Sequence, residues 1–243
     1  MWVMAVDTSV LTGSVALVQD GEVMSEKRVE SSSSHARMLL SVIDETLRSR
    51  GLRARDLGAL VATAGPGSFT GLRIGISTIK GLAYGLGIQA VGVPTLDAMA
   101  SRVDGSDLPL CPLLDARKSE VYCGFYRRRG DRLEKVTDPM VLPPVKLCSM
   151  VEQPTLFFGE GIRVYSSLLK RELGEKACFL EEDGLETVAA AAARIGWQSL
   201  PACVQRTGRS GAVEAPSPKL ELLYVRPSEA EFKRQSGGEE RRA

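Results

Sequence analysis

Two segments of this chain carry residue types and spacings that could do chemistry. Asp7-Thr8-Ser9, directly after the apolar run from Met1 to Val6, presents a carboxylate and two hydroxyls. Such hard oxygens suit a metal-bound phosphate, although so short a motif reads more plainly as a turn with side-chain caps. The second segment is Gly65-Pro66-Gly67-Ser68-Phe69-Thr70-Gly71, which follows a buried apolar run and opens a stretch of helical periodicity. Glycines at a strand end let the backbone approach a ligand and aim several N–H groups at an anion. The loop is not a Walker A motif, because Gly71 is followed by Leu72-Arg73 where that motif needs Lys and Ser or Thr. It also misses the dinucleotide fingerprint, with its third glycine one residue late. Phosphate binding and a tight turn that seats a helix both remain open.

Other catalytic constellations are poorly supplied. His35 is the only histidine, so a His-His metal site and an HExxH motif are excluded. No Gly-x-Ser-x-Gly elbow occurs, and Ser68 has no base nearby in sequence. Cys111, Cys123, Cys148, Cys178 and Cys203 form no CxxC pair and read as thiols of a reducing cytosol. The run Arg127-Arg128-Arg129 ends an edge-like strand, where charge keeps an edge soluble; contact with an RNA phosphate is the sharper alternative.

These residues need elements to hold them. Turn pairs at Thr12-Gly13 and Asp20-Gly21 divide the first apolar runs into a three-stranded antiparallel meander, Met1 to Val6, Ser14 to Val18 and Glu22 to Val29. Ser31 to Ser34 offer N-cap hydroxyls for a helix from His35 to Arg50, whose apolar positions Met38, Leu39, Val42, Ile43 and Leu47 are joined by Leu40. That extra width predicts a second surface to cover. A strand from Ala59 to Ala64 enters the glycine loop. The helix after it, Leu72 to Gly85, pairs an apolar stripe with a second face of Ser77, Thr78, Gly81 and Gly85. Helical glycines cost about 1 kcal/mol each relative to alanine, so this face predicts close approach of another backbone.

A strand from Ala90 to Val93 then leads through Pro94 to a short helix capped by Thr95, and Asp104-Gly105-Ser106-Asp107 with Pro109 is the expected hinge. Beyond it come a strand from Leu108 to Leu114, a turn at Asp115 to Lys118, and an alternating strand at Val121, Cys123 and Phe125. A strand from Thr155 to Phe158, a helix from Arg163 to Leu173 and an alanine-rich helix from Glu186 to Leu200 follow. The pattern predicts two α/β lobes of related design, 1–104 and 105–232, with 233–243 a disordered tail and the end of the second lobe free to pack back on the first.

The 243 residues, 44% hydrophobic and 25% charged, are enough for an ordinary core. A formal net charge of +1, from 31 basic and 30 acidic residues, announces neither nucleic acid nor membrane as partner. The N-terminus lacks the basic region of a signal peptide, and no run approaches the roughly 18 apolar residues of a membrane span. The expected location is cytoplasmic.

Several segments together resemble the TsaB (YeaZ) family: Met4-Ala-Val-Asp7-Thr-Ser9, Ser34-His35-Ala36, Gly65 to Gly75, Gly92-Val-Pro-Thr-Leu96, Leu114-Asp-Ala-Arg117 with Glu120-Val-Tyr122, and Tyr224-Val-Arg226-Pro227. The resemblance implies a two-lobed fold of the actin, Hsp70 and sugar-kinase type with a mixed sheet in each lobe. It also implies a role as the non-catalytic scaffold of the machinery that places a threonylcarbamoyl group on the adenosine next to the anticodon of tRNA. The main partner implied is TsaD, a catalytic relative of the same fold, with the ATPase TsaE as a further partner, TsaC as the upstream source of the activated group, and only indirect contact with tRNA. TsaD-like proteins carry a His-x-x-x-His metal pair where this chain has Thr95 and Met99, so no metal and no catalytic residue is expected. Their second-lobe nucleotide turn corresponds here to Gly159-Glu160-Gly161 with Tyr165, where an inward Glu160 would repel a phosphate. The cleft is therefore expected to bind ATP weakly or not at all, and no cofactor is expected. The docking face implied comprises His35, Leu39, Leu40, Ile43, Ile74, Thr78, Gly81 and Gly85, which would pair with TsaD, or with a second copy in its absence. Asp7, Gly65, Gly67, Ser68, Thr70, Gly71 and Arg73 are the implied contacts of any ATP or ADP at the subunit junction. The competing reading is a weak ATPase or kinase of the sugar-kinase superfamily using Asp7 and the glycine loop.

Overall fold

The computed structural model describes residues 1–29, 35–182, 184–201, 220–223 and 225. The first lobe runs β1 (Trp2–Asp7), β2 (Gly13–Gln19), β3 (Glu22–Val29), α1 (His35–Arg48), β4 (Leu57–Gly65), α2 (Phe69–Leu86), β5 (Gln89–Pro94) and α3 (Thr95–Ser101). The second runs β6 (Leu110–Asp115), β7 (Val121–Cys123), β8 (Tyr126–Arg129), β9 (Arg132–Lys135), β10 (Met140–Leu142), α4 (Pro144–Ser149), β11 (Thr155–Phe158), α5 (Ile162–Leu173), β12 (Ala177–Phe179) and α6 (Val188–Ser199). Without the β8–β9 hairpin, both lobes follow one order of elements: three strands, then helix, strand, helix, strand, helix.

The sheets repeat this kinship. Their strand orders are β3-β2-β1-β4-β5 and β10-β7-β6-β11-β12. In each, the first three strands pair antiparallel and the next two join in parallel. Each lobe thus has the mixed sheet that the resemblance implies. β4, in the parallel half of its sheet, is buried at every position, as suits a strand covered on both faces. The Asp20-Gly21 pair turns with positive φ at both residues, 51° and 94°, which a tight hairpin requires.

Three cores hold the layers together. On the outer face of the first sheet, Met4, Val6, Leu17 and Leu60 pack beneath Leu39, Ile43, Leu47, Ile76 and Ile79 of α1 and α2. The outer face of the second sheet packs Leu113, Cys123 and Phe157 against Leu147 and Leu169 of α4 and α5. The third core joins the lobes: Val3, Ala5, Val61 and Val93 meet α3, α6 and, from the second sheet, Leu110, Leu114 and Phe158.

Helix α6 follows the second sheet in the chain but packs on the first, against β1, β2, β4 and β5. Ala189 to Ala193 are all buried, and a Cβ added at Gly196 would press into the Val61 side chain. Small residues let the helix lie close to the sheet. Its first turn is anchored by the first lobe: Ala189 N–H donates to Ser14 Oγ at 3.1 Å and Thr187 N–H to Glu26 Oε2 at 2.8 Å. Later, Leu220 re-enters the core under α1 and α2, and Leu223 N–H donates to Ala64 O at 2.7 Å.

Some sequence expectations need correction. Thr95 is the first residue of α3 and not its cap; Pro94 holds that position, and the Thr95 hydroxyl is buried with no hydrogen-bond partner among the described residues. Arg128 does more than keep an edge soluble. Its guanidinium donates to Ser101 O and Val103 O at the end of α3, at 3.1 and 2.9 Å, and pairs with Asp104 at 2.8 Å. The turn expected at 115–118 extends through three left-handed residues, Arg117, Lys118 and Ser119. The serine caps at 31–34, Cys203, Tyr224, Arg226, Pro227 and the tail from 233 lie outside the described residues.

Candidate functional site

Asp7 ends β1 at full burial. Its Oδ1 accepts from Ser9 N–H at 3.0 Å, Ser9 Oγ at 2.5 Å and Thr63 Oγ1 at 2.6 Å. Its Oδ2 has no partner among the described residues. Burial raises the Asp7 pKa, and the hydrogen bonds from Ser9 and Thr63 oppose that rise without cancelling it. The sequence brought Asp7 and Ser9 together but not Thr63, whose one signal is a lone hydroxyl inside the apolar run of β4.

The glycine loop closes onto this same turn. Added Cβ atoms at Gly67 and Gly71 would collide with the carbonyl oxygens of Ser9 and Thr8, and one at Gly75 with the Thr8 hydroxyl. Ser68 N–H donates to Ser9 O at 2.7 Å, Thr8 Oγ1 donates to Gly71 O at 2.7 Å, and Ser68 Oγ caps α2 by accepting from Gly71 N–H at 3.2 Å. Gly65, at φ 112°, abuts the carbonyl of Leu223. At these positions the glycines admit the chain's own backbone, as a tight turn that seats a helix requires. Thr70 is exposed, and Arg73 lies over the Phe69 ring at 3.9 Å.

Thr95 and Met99, which the resemblance sets against a histidine pair, are deep in the interlobe core, at 0% and 1% exposure. The Met99 methyl packs where a Cβ at Gly159 would stand. Among the described residues, no group of three or more His, Cys, Asp or Glu gathers as a metal site would require; the His35 side chain lies outside them.

Glu160 points across the cleft. Its Oε1 accepts from Leu11 N–H at 2.6 Å and Thr12 N–H at 3.2 Å in the loop between β1 and β2. Burial raises its pKa; the two N–H groups oppose this, and nearby Asp7 adds to it. The adjoining cavity, of about 120 Å³, is walled by Arg28, Arg102, Arg163 and Glu182.

The exposed side of the first lobe is different in character. On α2, Leu72, Ile76, Ile79 and Ala83 are buried. Ile74, Thr78, Gly81 and Gly85 share the spacing of that stripe but are offset by two residues, so they lie on the opposite side of the helix. Gly81 and Gly85 have open space where a Cβ would stand. Beside this stripe Tyr84 is 78% exposed, and on neighbouring α1 Leu40 is 52% exposed. Leu39 and Ile43, expected on the same face, are instead buried against the sheet because they fall on the inward side of α1.

A family model described as "TsaD: tRNA N6-adenosine threonylcarbamoyltransferase" matches residues 28–214. The chain is 29% identical to the tRNA threonylcarbamoyladenosine biosynthesis protein TsaB of Bacillus subtilis (strain 168) over 179 residues, 72% of this chain and 78% of that one. It is 36% identical to the protein of the same description from Escherichia coli (strain K12) over 151 residues, 58% of this chain and 64% of that one. Among solved structures, YeaZ from Pseudomonas aeruginosa is similar with a TM-score of 0.69 and 25% identity, covering 92% of this chain and 99% of that one.

Proposed function

The chain belongs to the family described as TsaD, tRNA N6-adenosine threonylcarbamoyltransferase, and within it to the TsaB (YeaZ) proteins of tRNA threonylcarbamoyladenosine biosynthesis, and on that premise we propose that it serves the modification as a binding subunit without catalysis of its own. The observation that carries this reading is the closure of the Asp7 turn. The Asp7 carboxylate and the Thr8, Ser9 and Thr63 hydroxyls that a kinase-like reaction would use are buried and bonded within the turn or to the strand and loop beside it, with Gly71 and Gly75 set against Thr8. A reacting group must reach its substrate, and Asp7 is 0% exposed.

The partner in this reading is TsaD, met by the face of α1 and α2 that presents Leu40, Ile74, Thr78, Gly81, Tyr84 and Gly85. Open glycines allow two helix backbones to approach closely, and the flanking apolar side chains supply area for burial. In the absence of TsaD the same face pairs with a second copy; TsaE joins the assembly, and tRNA is touched only indirectly. An ATP or ADP, if one enters the assembly, lies at the subunit junction near Arg73. The setting is the cytoplasm; among the described residues, no helix is long and apolar enough to cross a membrane.

Co-elution with TsaD on size exclusion tests the docking face. Gly81→Arg and Leu40→Glu are both surface changes, so each variant keeps the circular dichroism of the parent and is expected to lose co-elution. Undiminished co-elution of both would place the interface elsewhere. Ile43→Glu is unsuitable, because a charge there would be buried at 5% exposure and unfold the lobe.

A further inference from the structure

The β8–β9 hairpin departs from the order of elements that the two lobes repeat, and its polar bonds lead away from its own sheet. It is joined to β6 where Tyr126 stands opposite Leu110. Its inward face turns to α3. Tyr126 and Lys135 are register partners in the hairpin, and together they take both oxygens of Asp97: Tyr126 Oη donates to Oδ1 at 2.7 Å and Lys135 Nζ pairs with Oδ2 at 2.8 Å. Two residues along the same strand face, Arg128 donates to Ser101 O and Val103 O and pairs with Asp104. The spacings match, because two residues of a strand advance about 6.6 Å and four residues of a helix about 6 Å. The hairpin thus grips α3 at its first turn and at its end. Tyr126 is 1% exposed, and burial together with Asp97 pushes its phenol pKa well up, so it stays a donor.

The end of α3 is also where the two chain crossings between the lobes meet. The first leaves α3 at Arg102 and reaches β6 at Leu110. The return crossing, from β12 to α6, is held by Arg102 itself, whose Nε donates to Glu186 O at 2.7 Å and whose Nη1 donates to Glu182 Oε1 at 2.9 Å. Rotation of one lobe against the other has to be absorbed in such loop and element-terminal residues. The apolar seam around α3 and α6 keeps the lobes together, but hydrophobic contact is non-directional and sets no angle.

We propose that the β8–β9 hairpin is a latch that fixes the angle between the lobes. With Tyr126, Lys135 and Arg128 bonded to α3, the second lobe turns about the crossings only by breaking those bonds; without them the lobes rock on their shared seam. The latch is a property of the isolated chain and stands apart from the partner reading, which co-elution tests separately.

The experiment measures residual dipolar couplings on the full ¹⁵N-labelled chain, weakly aligned, as wild type, as Arg128→Met and as the double variant Tyr126→Phe with Lys135→Met. Wild type is expected to fit one alignment tensor across both sheets. In the variants each sheet should still fit a rigid body, while the two sheets need separate tensors and the amides of residues 103–107 exchange at least about tenfold faster. The double variant leaves the α3 carbonyls bonded to Arg128, so it separates release of the latch from fraying of the helix end, and it decides the matter if Arg128→Met does not fold. One tensor serving both lobes in the double variant would overturn the proposal. So would couplings that no longer fit within a single lobe, which would make these residues part of that lobe's own packing, or a wild type that already needs two tensors.

Discussion

Asp7 offers a carboxylate that residue type alone could assign to chemistry, and the fold holds it at full burial. Three donors converge on its Oδ1 while its buried Oδ2 has none among the described residues. Because burial raises its pKa, the folded state resists ionising this group more than the unfolded chain does. Its contribution to stability is therefore complete below the ordinary carboxylate range and is lost as pH rises through the raised value. Asp7→Asn removes the titration while keeping the Oδ1 acceptor. Urea unfolding from about pH 4 to about pH 7 should show the variant gaining on wild type as pH rises; a difference that is flat, or that moves the other way, would mean burial does not dominate. The Asp-hydroxyl motif was visible in the sequence, but its role was not. Whether a carboxylate faces solvent or Thr63 depends on a strand 56 residues away in the chain.

The glycines of α2 divide by what stands beside them. Gly71 lies against the Thr8 carbonyl, whereas Gly81 faces open space. Gly71→Ala should therefore cost at least about 2 kcal/mol, as overpacking does, or prevent folding. Gly81→Ala should stabilise the chain by roughly 0.5–1 kcal/mol, because alanine is the better helix former and meets nothing. Denaturant midpoints of the two variants measure both signs, and equal losses would contradict the assignment. Element order was well marked by periodicity and turn pairs, as Glu22–Val29 and Thr155–Phe158 show by falling where expected. The short strands β9, β10 and β12 and helix α4 carried no pattern of their own: β9 pairs with β8, β10 with β7 and β12 with β11, while α4 packs against α5. For α1 the stripe itself was legible, with Leu39 and Ile43 in the core and Leu40 on the surface, whereas the docking face implied by the resemblance took in Leu39 and Ile43 as well.

For the molecule as a whole, the notable feature is that two lobes of one design share a core instead of flanking an open cleft. Sequence pattern showed the repeat of lobes but not that α6 would cross to the first sheet, since an alanine run states how closely a helix can pack and not against what. Gly196→Val tests this seam, because its side chain would meet Val61. A loss of about 1–3 kcal/mol with one cooperative transition is expected, and two separated transitions would show that the lobes unfold independently. The proposed function is that of a molecule that acts by being bound, with its polar turn closed and one helix face exposed. Reconstituted threonylcarbamoyl transfer to tRNA is the most direct test, run with TsaD and its companions and with no addition, wild type, Asp7→Asn or Gly81→Arg. The account predicts that transfer requires this chain, persists with Asp7→Asn and fails with Gly81→Arg. Transfer abolished by Asp7→Asn in a folded protein, yet undisturbed by Gly81→Arg, would contradict it.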